Sequence, residues 1–244
     1  MPKFPSEMAI QQKERIQYLN DKEPARGDYV LYWMQASQRT SDNYALEYAA
    51  YRAREQGLPL LVCFCITDSY PRAYYRHYYF MFRGLLDVAD ALQERGITFV
   101  VLHEEPVTAV QRFAGHAALV ITDCGYTRIE RKWRLNVSNS VGCPVIQVES
   151  NVVVPLAVAS TKAEHSARTI RPKIHGVMDR FLHLPATVSD VPRMGSHAIV
   201  QDARAIPASR LADLMRDDQA MKEEFSFDFS VAPVSEVHGG EFAA

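Results

Sequence analysis

Side chains able to bind a small molecule occur where three apolar runs of the sequence end. They comprise Met34, Gln35, Ala36, Cys65, Asp68, Asp123 and Cys124. Amide and carboxylate groups can hydrogen-bond a bound molecule, and the thioether and thiols add soft apolar surface. In an open α/β sheet, ligands bind outside the carboxyl ends of the strands. The spacing therefore predicts a binding pocket there, in which Asp123 is either a ligand contact or a loop-capping carboxylate.

Other chemistries lack their motifs. The segment between Asp28 and Ser41 contains no glycine, so the first strand-to-helix turn offers no phosphate-binding loop. The four cysteines show no CxxC pair and no zinc-type spacing with histidine. No nucleophile-elbow motif accompanies the serines and histidines. We therefore predict neither a catalytic residue nor a metal site.

Two basic clusters offer charge for contacts with anionic groups. The first comprises Arg128, Arg131, Lys132 and Arg134, and the second comprises Lys162, Arg168, Arg171 and Lys173. The first could contact DNA phosphates, although a solvated helix face explains it better. The second could be an exposed basic helix or a docking segment for another part of the protein. Because the net charge is only -2, any DNA contact must be local.

The elements that would position these residues alternate regularly. Strands are predicted at residues 29–34, 59–66, 97–102, 118–122 and 144–148, with an amphipathic helix in each interval. Such alternation requires right-handed crossovers between parallel strands. The prediction is a doubly wound, Rossmann-like α/β fold with about five parallel strands and helices on both faces.

The two ends of the sequence differ from this central pattern. Residues 1–27 form a predicted leading helical segment, with its helix at residues 6–19, because Met8, Ile10, Ile16 and Leu19 are interspersed with charges. Beyond Asn151 the alternation is lost, which predicts an irregular carboxyl-terminal extension ending in one helix at residues 210–224. Unpaired cysteines and the lack of a long apolar run predict a cytoplasmic protein.

Four ordered blocks of the sequence resemble one known family. They are residues 32–39 (YWMQASQR with the leading Tyr32, followed by Asn43), 76–85 (RHYYFM and Gly84-Leu85), 123–134 (DCGYTR and Trp133-Arg134) and 160–173 (STKAE and ARTIRPK). Together they resemble class II cyclobutane pyrimidine dimer photolyases, especially the bacterial branch. The resemblance covers only the amino-terminal α/β half of that family.

This resemblance implies that the α/β half and the helical half of the protein have different functions. Full-length relatives repair pyrimidine dimers in DNA, as carbon–carbon lyases, by light-driven electron transfer from FAD held in a helical domain. Residues 28–185 would be the antenna domain, with a deazaflavin-type pigment in the predicted pocket. Residues 186–244 would be the interdomain linker and the start of the helical domain, whose remainder is missing. The second basic cluster lies in a matching block and would be a docking segment for that domain. The chain alone is then expected to lack FAD and repair activity, and to meet DNA only within the complete protein.

Two alternatives remain: a stand-alone small-ligand or nucleotide-binding protein, and an interaction scaffold. The antenna-domain hypothesis also predicts an unfinished interface that would expose apolar side chains when the helical domain is absent. Its expected members are residues 152–158, Leu182, Leu184, Leu211, Leu214 and Met215. Self-association of the isolated chain would follow, because monomers seldom expose large apolar patches.

Overall fold

A single sheet forms the centre of the molecule, for which the computed structural model describes residues 12–234, 236–241 and 243. Its strands are β1 (Ile16–Tyr18), β2 (Tyr29–Met34), β3 (Leu60–Ile66), β4 (Thr98–His103), β5 (Ala117–Asp123), β6 (Val145–Val148) and β7 (Ala205–Ile206). Their order is β1-β6-β5-β2-β3-β4-β7. The five central strands are parallel, whereas β1 and β7 pair antiparallel at the edges.

Helices cover both faces of this sheet. Those in the described part of the chain are α1 (Tyr44–Gln56), α2 (Tyr75–Glu94), α3 (Pro106–Ala114), α4 (Arg128–Ser140), α5 (Leu156–Ala159), α6 (Ala167–His175), α7 (Ala208–Leu214) and α8 (Asp218–Glu224). α1 and α2 pack on one face, and α3 and α4 pack on the other. The predicted doubly wound α/β class is confirmed. None of the described helices is long and apolar enough to cross a membrane.

Strand β2 shows why the fold forms. Val30, Tyr32 and Met34 face the core under α1 and α2, while the alternating residues Tyr29, Leu31 and Trp33 face the core under α3 and α4. All six are at most 1% exposed. A continuous apolar run of this kind is typical of a strand in a parallel sheet that is buried on both faces.

The sheet has seven strands rather than about five, and one of the additions corrects the leading helical segment. Met8 and Ile10 lie outside the described residues, but Ile16 begins β1 after a 3-10 turn, Lys13–Arg15. Ile16 pairs with Val148. A three-residue strand is too short to show period-two alternation, so its pairing partner, not its own pattern, decides its structure.

The carboxyl-terminal extension is irregular, as predicted, but its last helix is interrupted. α7 ends at Leu214. α8 begins at Asp218, and the side chain of Asp217 caps its amino terminus. Leu211 and Leu214 are buried in the core beneath α2, so they are covered within the chain. Leu182 and Leu184 are 55% and 69% exposed, as the unfinished-interface prediction expects.

Candidate functional site

A cavity of about 470 Å³ opens at the carboxyl ends of β2 and β3, between the starts of α2 and α4. Most of its walls are apolar or aromatic: Trp33, Met34, Phe64, Ile66, Tyr70, Met81 and Trp133. The polar side chains at its walls include Gln35, Gln38, Thr67, Arg72, His77 and Glu130. This volume and this mixture of walls are those of a small-molecule site.

Four of the seven predicted pocket residues line this cavity, namely Met34, Gln35, Ala36 and Cys65. The other three, Asp68, Asp123 and Cys124, are described but lie outside its lining. Asp68 is instead 3.0 Å from Nε2 of His103. Cys124 is buried, and desolvation raises the pKa of its thiol to about 11. Thus β2 and β3 form the sheet side of the cavity, and the end of β5 stands behind it.

Asp123 holds the β2–α1 loop. Its carboxylate accepts backbone N–H bonds from Gln35 at 3.2 Å, Ala36 at 3.0 Å and Ser37 at 2.8 Å, and a hydroxyl bond from Tyr32 at 3.2 Å. The residue is fully buried; burial raises its pKa, against the effect of these donors. The geometry favours the loop-capping alternative, in which Asp123 shapes the cavity without touching its contents.

Gln35 is oriented by Arg134 and keeps an unused donor. Nη1 of Arg134 donates to Oε1 of Gln35 at 3.0 Å, and Nη2 donates to the carbonyl of Gly125 at 2.6 Å. Because Oε1 is fixed by Arg134, the amide nitrogen Nε2 must point the other way. Nε2 is buried and has no hydrogen-bond partner in the described part of the chain, although Gln35 is only 8% exposed. A buried donor without an acceptor destabilises the folded protein unless a bound ligand accepts its hydrogen bond.

The members of the first basic cluster differ in burial. Arg134 is buried and points inward, contrary to its assignment to a surface cluster, whereas Arg128, Arg131 and Lys132 are exposed.

In the second cluster, Lys162, Arg168 and Arg171 are exposed, and Lys173 bonds Glu164. That contact lowers the pKa of the Glu164 carboxyl to about 2. Of this group, Lys173 is internally paired and the other three present their charge to solvent.

The pattern along the chain did not identify the far wall of the cavity. Trp133, predicted in the core beneath α4, is partly buried and lies beside Tyr70, with ring centroids 6.1 Å apart. His77 accepts the N–H of Tyr74 at 2.9 Å and so caps α2 at the cavity. The strand order could have predicted this wall, because α2 and α4 both begin at the edge of the sheet where β3 and β5 end.

Comparison with known proteins decides the family. A family model described as DNA photolyase matches residues 30–192, well over half of the chain. The chain belongs to the DNA photolyase family. This result confirms the resemblance drawn from the four sequence blocks. The match spans the parallel strands, from Val30 in β2 to the end of β6, and the residues that line the cavity, whereas β1 and β7 lie outside it.

Relatives with curated names agree. The deoxyribodipyrimidine photo-lyase of Methanothermobacter thermautotrophicus is 46% identical over 69% of this chain and 38% of its own length. That of Potorous tridactylus is 36% identical over 72% of this chain and 33% of its own. The chain thus spans about a third of the length of these photolyases.

A solved structure supports the fold. The archaeal photolyase of Sulfolobus tokodaii superposes with a TM-score of 0.63 at 15% identity, over 86% of this chain and 44% of that one. That structure is described as holding two FAD molecules, with the implication of a novel light-harvesting cofactor. At this identity the similarity concerns the fold.

Proposed function

We propose that this chain is the antenna-pigment and docking domain of a light-driven photolyase that repairs cyclobutane pyrimidine dimers. The observation that carries the proposal is the apolar cavity beside β2 and β3, with an unpaired amide donor on Gln35. A deazaflavin suits it, because such a pigment is flat, largely apolar and rich in carbonyl and ring-nitrogen acceptors. Trp133 and Tyr70 supply aromatic surface for its rings.

In this proposal, FAD and the damaged DNA belong to a helical partner domain. Leu182 and Leu184 are exposed on the extension, and Arg168 and Arg171 add positive charge nearby in sequence. Exposed apolar side chains and unpaired positive charge are groups that such an interface would cover. The proposed domain boundary at residues 185 and 186 follows α6 and the buried Phe181. A cytoplasmic setting suits the four free buried thiols.

The test is pigment binding by the purified chain and its Gln35→Leu variant. A deazaflavin at a hundredfold excess over Kd should stabilise the folded chain by about 2.7 kcal/mol, which raises Tm by roughly 5–10 °C. Gln35→Leu keeps a side chain of similar size but removes the Nε2 donor, so Kd should rise about 5–30-fold. Titration followed by pigment fluorescence measures both.

Gln38→Leu is the matched control. Gln38 also lines the cavity, but its Nε2 already donates to the carbonyl of Gln35 at 3.1 Å. Its substitution should change Kd by less than about threefold. Equal weakening in both variants would remove the special role of Gln35. Binding of nucleotides instead of pigment would support a stand-alone ligand-binding protein, and binding of neither would support a scaffold.

A further inference from the structure

Three polar residues from distant parts of the sequence meet at the amino-terminal edge of the sheet. Asp28 directly precedes β2 and His116 directly precedes β5, while His197 comes from the extension. Because β2 and β5 are parallel, this edge is opposite the cavity. One potential metal-binding atom from each residue lies within 4.8 Å of the other two.

The separations are close to those of a metal centre. Oδ2 of Asp28 is 3.2 Å from Nε2 of His197 and 3.7 Å from Nδ1 of His116. Ligands that bind Zn²⁺ tetrahedrally at about 2.0–2.1 Å are roughly 3.4 Å apart. Small side-chain movements would therefore bring the three ligand atoms to the distances of a tetrahedral site. The side chains of Asp28 and His116 are more than half exposed, so an ion can enter and water can take a fourth position.

The protein holds all three residues in place without an ion. The backbone N–H of Asp28 donates to the carbonyl of His116 at 2.8 Å, which joins two of them. His197 lies edge-on to the buried ring of Tyr29, with ring centroids 5.6 Å apart. Met194 and Ile199, on either side of His197, pack against the core under α3 and α4. The cluster is thus supported by folded structure.

We propose that Asp28, His116 and His197 bind one Zn²⁺ or a similar divalent transition-metal ion. Two imidazoles and a carboxylate form a nitrogen and oxygen ligand set that such ions favour. The site would fasten the extension to the sheet through His197. It uses no cysteine, which is why motif spacing gave no indication of it.

Ion binding requires one change at His197. Its Nδ1 accepts the N–H of Ile199 at 3.2 Å, so the proton is on Nε2, which donates to Asp28. When Nε2 binds the metal, the proton moves to Nδ1, and the N–H of Ile199 loses its acceptor.

The experiment is calorimetric titration of Zn²⁺ into the 244-residue chain, stripped of metal by a chelator and free of pigment. We expect one ion per chain. His116→Ala, His197→Ala and Asp28→Asn should each weaken binding roughly tenfold or more, since loss of even an outer-shell partner costs that much at metal sites. His165→Ala removes an exposed histidine outside the cluster and should leave affinity unchanged.

Two further readouts test the ligand set and the fastening of the extension. Co²⁺ in place of Zn²⁺ should give the visible spectrum of a tetrahedral nitrogen and oxygen site, and a thiolate charge-transfer band would overturn the assignment. Zn²⁺ should slow proteolysis of residues 187–204 in the parent chain but not in His197→Ala, provided circular dichroism shows both folded. Absence of binding, or equal weakening in His165→Ala, would also refute the site. Pigment binding is measured at the opposite edge, so the proposed function is tested separately.

Discussion

Replacing Asp123 with alanine is expected to lower the free energy of unfolding by about 3–5 kcal/mol. The substitution leaves the N–H groups of Gln35, Ala36 and Ser37 without their acceptor, and the Tyr32 hydroxyl loses one as well. Each buried, unsatisfied donor costs about 1–3 kcal/mol, and local rearrangement recovers part of that loss. Urea denaturation measures the change.

Asp90→Ala is the control, because Asp90 is an exposed aspartate on α2. Its effect should stay within about 0.5 kcal/mol. Pigment affinity should also fall in Asp123→Ala, since the loop that carries Gln35 loses its support. A variant as stable as the parent, with pigment binding lost, would show that Asp123 contacts the ligand directly.

Replacing Glu47 with alanine is expected to lower the free energy of unfolding by about 2–3 kcal/mol and to loosen the extension locally at Val188. Glu47 is 3% exposed and accepts two bonds from Arg95, at 2.8 and 2.9 Å. It also accepts the backbone N–H of Val188 at 2.7 Å, which ties the extension to α1. In the variant, the Arg95 guanidinium is still partly exposed to water, which reduces the loss of unfolding free energy.

Hydrogen exchange and denaturation together test this prediction. The amide of Val188 should exchange faster in Glu47→Ala, while amides of β2 should change only with global stability. Glu55→Ala, also on α1, breaks an ion pair with Arg52 in which the glutamate side chain is 52% exposed, and should cost less than about 0.5 kcal/mol. An unchanged exchange rate at Val188 would mean that apolar packing alone holds the extension.

Much of the site could be predicted because β2, β3 and their loops are recognisable from local sequence. Long apolar runs ending in polar residues specify parallel strands, and parallel strands place their carboxyl ends at one edge. That reasoning placed Met34, Gln35, Ala36 and Cys65 at the edge of the sheet where the cavity lies, and their part in ligand binding stays a prediction. It could not separate Asp123 from them, because a residue at a strand end can face either the cavity or the loop behind it.

The sequence by itself determined the α/β class, the five parallel strands and the photolyase family, since each depends on periodicity or on ordered local motifs. Tertiary structure alone decided the contacts between distant segments. β1 and β7 exist only because the sheet offers them an edge, and Arg134 turns inward because Gln35 and Gly125 lie within reach. The meeting of Asp28, His116 and His197 follows from the strand order and the path of the extension, which local sequence patterns do not encode.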